Sequence, residues 1–296
     1  MAKVAVVGVG AIGGVLAGLL QTAGEHEITL CTRRPMDGLT VETPERTVRV
    51  EAHNCTEPAR AEAVDWVLVA TKTYDAEGSA LWFEGLCGDG TRVAVVQNGV
   101  EHRERFAAYL EAERIVPVII DCPAERRADG SVAQRGIAKM RVEAGAAGAS
   151  FAELFAGTKA QIELTEDFVT AAWQKLCINS AGALSALTMK PGGVFRDEAI
   201  GRVALEIVAE CVAVGRAEGA VLDDGTGERV LAGYRAAPVD AVNSMLADRL
   251  AGRPMETDAR NGVIVRRGEK HGIPTPCNRM AVALLQAAAG PHGSAR

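Results

Sequence analysis

The sequence predicts an α/β protein, a doubly wound parallel sheet in the N-terminal part followed by an all-helical C-terminal domain. Over the first half of the 296-residue chain, short β-rich runs alternate with helical stretches, and from about Thr165 a helical periodicity takes over. The length suits two domains, 1–165 and 166–296, each large enough to bury its own core.

Lys3 to Val7 is apolar and β-branched, Gly10 to Ala23 is helical with small residues, and Glu27 to Cys31 reads as a second strand. Trp66 to Ala70 and Val93 to Gln97 are unbroken apolar runs, as expected of central parallel strands covered on both faces. Leu39 to Val50 and Asp121 to Val142 carry Thr, Val and Arg with turn residues; they suit hairpins or extra strands, with Asp129-Gly130 as a turn. Thr165 is expected to cap one long helix over Asp167 to Leu187, with acidic residues in its first turn. Pro191-Gly192-Gly193 interrupts, and further helices follow over Arg196 to Glu218, Ala237 to Leu250 and Glu256 to His271, the last ended by Gly272 and Pro274. With no linker and no repeat, a short connection and a shared cleft between the domains are expected.

Apolar residues make up 48% and charged residues 24%, a globular profile. The net charge of −6, with no Lys/Arg block, argues against nucleic acid or a membrane surface as partner. The first residues run into a strand without a secretory signal, and no long charge-free apolar run occurs, so a cytoplasmic location is expected. Seven single cysteines without a C-x-x-C pair suit reduced, mostly buried thiols, and no metal site is expected.

Gly8-Val9-Gly10-Ala11-Ile12-Gly13 matches G-x-G-x-x-G between an apolar strand and a helix. Gly8 permits the tight turn, Gly10 admits a pyrophosphate and Gly13 lets helix and strand pack closely, while the N–H groups of Ala11, Ile12 and Gly13 meet the phosphate charge. This makes the N-terminal sheet a Rossmann-type dinucleotide-binding domain; a ligand-free glycine turn is the alternative. Where an NAD site carries an acid, the second strand ends in Cys31-Thr32-Arg33-Arg34. Arg33 or Arg34 suits a 2′-phosphate, with Thr32 as hydroxyl donor, so NADP is the expected cofactor unless both arginines are merely solvated. Lys72, after the third apolar run, stands at the ligand-binding edge and is either a second candidate for the ribose phosphate or a surface lysine.

Asn98 ends the next apolar strand at that edge, where its amide suits cofactor or substrate, or simply a turn. Lys175 and Asn179, four residues apart, share one helix face, which alone is more often solvated. Asn243-Ser244 and Glu256 complete the set, Glu256 standing where an acid would also serve a helix N-terminus.

Together these residues resemble the ketopantoate reductase family. The matching motifs are Gly8 to Gly13, Thr71-Lys72, Gln97-Asn98-Gly99, Lys175-Leu176-Cys177-Ile178-Asn179, Asn243 to Leu246, Glu256-x-Asp258-x-x-Asn261-Gly262, and Gly272 to Pro276. The resemblance implies NADPH-dependent reduction of a small 2-keto acid to a 2-hydroxy acid, with Lys175 as general acid at the keto oxygen. It implies substrate binding by Asn98, Asn179 and Ser244, and a second catalytic role for Glu256, which fixes a substrate hydroxyl or orients Lys175. A helical second domain is compatible with a homodimer. Ala183 departs from the family, which has a further asparagine there, and so leaves the substrate's tail open. Two other readings remain at this point. One is a different NADP-dependent hydroxy-acid dehydrogenase, which with a phosphate-bearing substrate would want a basic cluster such as Arg266, Arg267 and Lys270; the other is a non-catalytic NADP-binding regulator.

Overall fold

The computed structural model describes residues 1–24 and 26–289. Its chain divides into two compact units, Met1–Gln97 with Glu101–Phe168, and Asn98–Val100 with the residues from Val169 onward.

In the first unit, β1 (Ala2–Val7), α1 (Ala11–Ala23) and β2 (His26–Cys31) form the opening βαβ. A hairpin of β3 (Leu39–Glu42) and β4 (Thr47–Val50) leads to β5 (His53–Cys55) and β6 (Val64–Val69). Short helices α2 (Ala76–Ala80) and α3 (Phe83–Leu86) precede β7 (Cys87–Val95), and α4 (His102–Phe106) precedes β8 (Ile115–Asp121). Then come β9 (Ala124–Arg126), β10 (Val132–Gln134), β11 (Lys139–Glu143), α5 (Ala146–Glu153) and β12 (Gln161–Thr165).

The main sheet runs β12-β11-β8-β7-β6-β1-β2-β5. Every pairing in it is parallel except that of β8 with β11. Alternation explains the unbroken apolar runs: Val4 and Val6 join one core with Leu16, Leu20 and Phe151, while Ala5 and Val7 join another with Phe83, Leu86 and Phe106. The two ambiguous segments supply a smaller sheet, ordered β4-β3-β10-β9, whose β9–β10 hairpin turns at Asp129-Gly130 with Gly130 at φ +86°, while the end of the second segment joins the main sheet as β11. Its Val132 and Val41 lie against Gly14 and Gly18 of α1, where an added Cβ would come within 2.6 and 3.1 Å of them. The small residues of that helix are therefore its docking face.

The second unit consists of α6 (Phe168–Ala181), α7 (Ala183–Thr188), α8 (Glu198–Ala217), α9 (Thr226–Ala236), α10 (Ser244–Leu250), α11 (Val263–His271) and α12 (Pro276–Ala288). Among the described residues, no helix is long and apolar enough to cross a membrane. Trp173, Leu176, Ile207, Val208, Cys211 and Val263 centre its larger core.

Several boundaries differ from expectation for identifiable physical reasons. Thr165 ends β12 instead of capping a helix, and its hydroxyl accepts the Asp167 N–H at 3.2 Å. The long helix expected to reach Leu187 breaks at Gly182, whose carbonyl accepts from Asn243 Nδ2 at 3.0 Å. Residues 237–243 are not helical; Asn243 instead caps α10 by accepting the Leu246 N–H at 2.9 Å. Asp197 caps α8 in the same manner through Ala199 and Ile200. The helix expected from Glu256 opens with a π turn, Asp258–Gly262, before α11.

Candidate active site

In the first unit, β1 lies between β2 and β6, so the chain reverses direction of winding beside it, where open α/β sheets bind ligands. Gly8 has φ +91°, and a Cβ there would stand 2.5 Å from Thr71 Cγ2, so this turn requires glycine. A Cβ on Gly13 would stand 2.1 Å from the Gly8 carbonyl oxygen, the close helix-on-strand approach expected of the third glycine. Gly10 differs: a Cβ on it would meet nothing within 4 Å. It caps α1 without a side-chain partner, and the first turn carries no acid. The half-buried Ala11 and Ile12 thus open the helix onto unfilled space with unneutralised N–H groups, which fits a pyrophosphate.

At the end of β2, Arg33 and Arg34 are both exposed, and Arg33 donates to Asp75 Oδ2 at 2.8 Å. An ion pair with the arginine side chain 85% exposed is weak and opens easily to a phosphate. The Thr32 hydroxyl donates to the Arg34 carbonyl at 2.7 Å and so shapes the turn that carries both arginines. Lys72 follows β6, half-buried, and its carbonyl accepts the Asp75 N–H at 3.0 Å.

Gln97, whose side chain sequence reasoning passed over, locks this edge. Its Nε2 donates to the Thr71 carbonyl and hydroxyl at 3.1 and 3.0 Å, and its Oε1 accepts from Arg105 at 3.0 Å. A polar residue closing an apolar strand was the available signal. The buried His102 ring bonds the Gln97 carbonyl through Nε2 at 3.0 Å, so Nε2 carries the proton. Burial, aided by the charge of Arg105, pushes its pKa down to about 3 from 6.5. Between those values the unfolded chain binds a proton that the native one refuses. This contribution to stability is therefore complete above pH 6.5 and is lost as pH falls towards 3, by up to about 1.4 kcal/mol per pH unit. Urea midpoints measured from pH 4 to 7 should show a shallower acid limb in His102→Gln, and parallel limbs would refute this.

In the second unit, Asn98 Nδ2 donates to Glu256 Oε2 at 2.9 Å, and Asn98 Oδ1 accepts from Asn179 Nδ2 at 3.3 Å. Both partners are buried, Asn179 at 9% and Glu256 at 5% exposure. Lys175 stands half-buried on α6 one turn before Asn179. Ser244, exposed at the first turn of α10, accepts a hydrogen bond from Arg260 Nη2 at 2.7 Å. Sequence reasoning passed over Arg260, because one arginine in a helical stretch carries no pattern; the fold places it against the candidate Ser244. Asn261 proves structural: its amide donates to the Ser180 carbonyl and to Asn278, joining α6 to α12.

Ala183 is fully buried and packs in an apolar cluster with Ala186, Met245, Met255 and Leu285. The basic cluster considered for a phosphate is engaged in ion pairs within the protein. Arg267, Lys270 and His271 converge on Glu218, and Arg266 pairs with Asp258. Burial of Glu218 opposes its ionisation, but hydrogen bonds from His271 and Lys270 and the Arg267 charge together hold its carboxyl below the usual range.

A family model described as ketopantoate reductase PanE/ApbA matches residues 4–147, and the C-terminal model of the same family matches residues 167–289. The chain belongs to the ketopantoate reductase family. It is 52% identical to a 2-dehydropantoate 2-reductase of Caulobacter vibrioides, over 98% of this chain and 100% of that protein. With a 2-dehydropantoate 2-reductase of Mycobacterium tuberculosis it shares 40% identity, over 98% and 99% of the two chains. Among solved structures it is similar to a PanE/ApbA family ketopantoate reductase from Ralstonia eutropha, with a TM-score of 0.89, 31% identity, and coverage of 99% and 100%. The family makes this chain an oxidoreductase that uses a nicotinamide dinucleotide and acts on the CH–OH group or the carbonyl derived from it.

Proposed function

We propose that this chain reduces 2-dehydropantoate (ketopantoate), or a closely related 2-keto acid, to the 2-hydroxy acid with NADPH. The observation that carries the reading is the Asn98 amide bonded at once to Asn179 and Glu256, which draws three separated motifs into one polar cluster beside Lys175. A regulator that only binds a dinucleotide has no need of such a cluster.

When bound, NADPH supplies the hydride. Lys175 holds a proton on Nζ and donates it to the keto oxygen as negative charge develops there. Asn98 is held by bonds at both ends of its amide, so its remaining N–H is pre-aimed at substrate. Asn179 shares that orientation, and Glu256 anchors Asn98 while offering its carboxylate to a substrate hydroxyl. Ser244 receives the substrate carboxylate. No amide at position 183 reaches the substrate, because Ala183 lies in the apolar cluster, so the tail of the keto acid is recognised by fewer amides than the family pattern provides. This favours tolerance of related 2-keto acids.

NADPH is favoured over NADH by the two exposed arginines at the end of β2, with Lys72 as a further cation for the ribose phosphate. The Arg33→Ala/Arg34→Ala double variant should raise the KM for NADPH about 10- to 100-fold, the range of a lost charge-assisted pair, and leave that for NADH nearly unchanged. Equal effects on both cofactors would remove the arginines from phosphate recognition. The test of the reaction itself is NADPH oxidation by the purified protein across a panel of 2-keto acids, ketopantoate included; no turnover with any of them would end the reading.

A further inference from the structure

We propose that Arg260 sets the site's demand for an anionic substrate, its guanidinium orienting the Ser244 hydroxyl onto the substrate carboxylate and supplying the opposing charge. The inference rests on the keto acid reading and adds to it the residue that enforces the acid.

Arg260 is 4% exposed, and Nη2 donates to Ser244 Oγ at 2.7 Å. Its Nε is enclosed and has no hydrogen-bond partner. Among the described residues, no carboxylate forms an ion pair with it. A guanidinium kept from water without a counter-ion is costly, and a protein retains one where an anion arrives to complete it.

The direction of the bond matters. A guanidinium has only donors, so Ser244 Oγ must accept, and the hydroxyl proton is left to point elsewhere. Ser244 is exposed, so that proton can meet an acceptor entering from solvent. A carboxylate uses both features, accepting from the hydroxyl while neutralising the charge behind it.

Arg260 also lies close to the rest of the cluster. Burial pushes the Tyr234 phenol up to about 12, with the Arg260 charge pulling it the other way. That phenol donates to the Ile178 carbonyl at 2.8 Å, next to Asn179. Four residues before Arg260 in the chain stands Glu256, bonded to Asn98.

The experiment compares binding of pantoate and of its lactone, the same skeleton with the carboxylate closed into a neutral ester, to NADP-loaded protein by calorimetry. Ketopantoate turnover is measured alongside. Wild type should prefer pantoate, and Arg260→Met should reduce that preference about 10- to 100-fold with NADPH affinity unchanged. Arg260→Lys, which keeps a charged donor, should recover at least part of it. The ligand-free methionine variant should melt at the same temperature or higher, because an unpartnered buried cation is gone; a purely structural arginine would lower it.

An unchanged preference in Arg260→Met overturns the proposal, as does equal loss in a folded Arg260→Lys. Should the methionine variant fail to fold, Ser244→Ala decides. A fall in pantoate preference of about fivefold or more supports the assignment, and no fall overturns it. Wild type that prefers pantoate but turns over no keto acid would remove the reductase reading and leave Arg260 in place. Turnover without any preference would do the reverse.

Discussion

Lys175→Ala is expected to lower kcat with ketopantoate by about 10³-fold while NADPH binds as before. Reduction of a keto carbon places negative charge on its oxygen, and a proton delivered in the transition state lowers that barrier more than any ground-state contact. Lys175 is suited to the task by position, half-buried on α6 and one turn from an asparagine already engaged in the polar cluster. Because its effect falls on the transition state, kcat and kcat/KM should drop together. NADPH oxidation rates and a parallel calorimetric titration check this. A variant retaining a tenth of wild-type kcat would assign the proton to another group.

Two glycines of the cofactor loop should respond in opposite ways. Gly10 has a negative φ of −85°, outside the left-handed region that demands glycine, and open space where its Cβ would go. Gly10→Val should therefore fold with nearly wild-type stability and lose about 100-fold or more in NADPH affinity, because the side chain fills the space reserved for the pyrophosphate. Gly13→Ala places a methyl 2.1 Å from the Gly8 carbonyl oxygen and should cost about 3 kcal/mol of folding stability with or without cofactor. Thermal melts and NADPH titrations of both variants separate the outcomes. Wild-type affinity in Gly10→Val would mean that no dinucleotide phosphate sits there.

Much of this was legible along the chain because the signals are local. The run Lys3 to Val7 followed by Gly8 to Gly13 specifies a strand, a tight turn and a helix from adjacent residues. The apolar runs near Trp66 and Val93 announced strands covered on both faces, and the two cores that share β1 are the reason. The helix break at Gly182 was not legible, since it depends on Asn243 reaching that carbonyl from 61 residues away. β12 was missed because Gln161 to Thr165 is mostly exposed and pairs only with β11, so it lacks the apolar run of the inner strands.

The site divides in the same manner. Lys175 and Asn179 could be named together because four residues make one helical turn, and Arg33 and Arg34 because they follow the end of β2 at the ligand edge. Which atoms they serve was decided elsewhere. Thr32 turned its proton to the Arg34 carbonyl, and Asn98 was claimed by a carboxylate 158 positions away. Residue order thus determined by itself the βαβ start, its glycine turn and the helical character of the second unit, because period and steric freedom act between near neighbours. Only the tertiary structure decided that Asn98 joins Asn179 to Glu256 and that Arg260 stands behind Ser244. A hydrogen bond of 3 Å between distant segments depends on how whole helices pack, and packing is a property of the assembled chain.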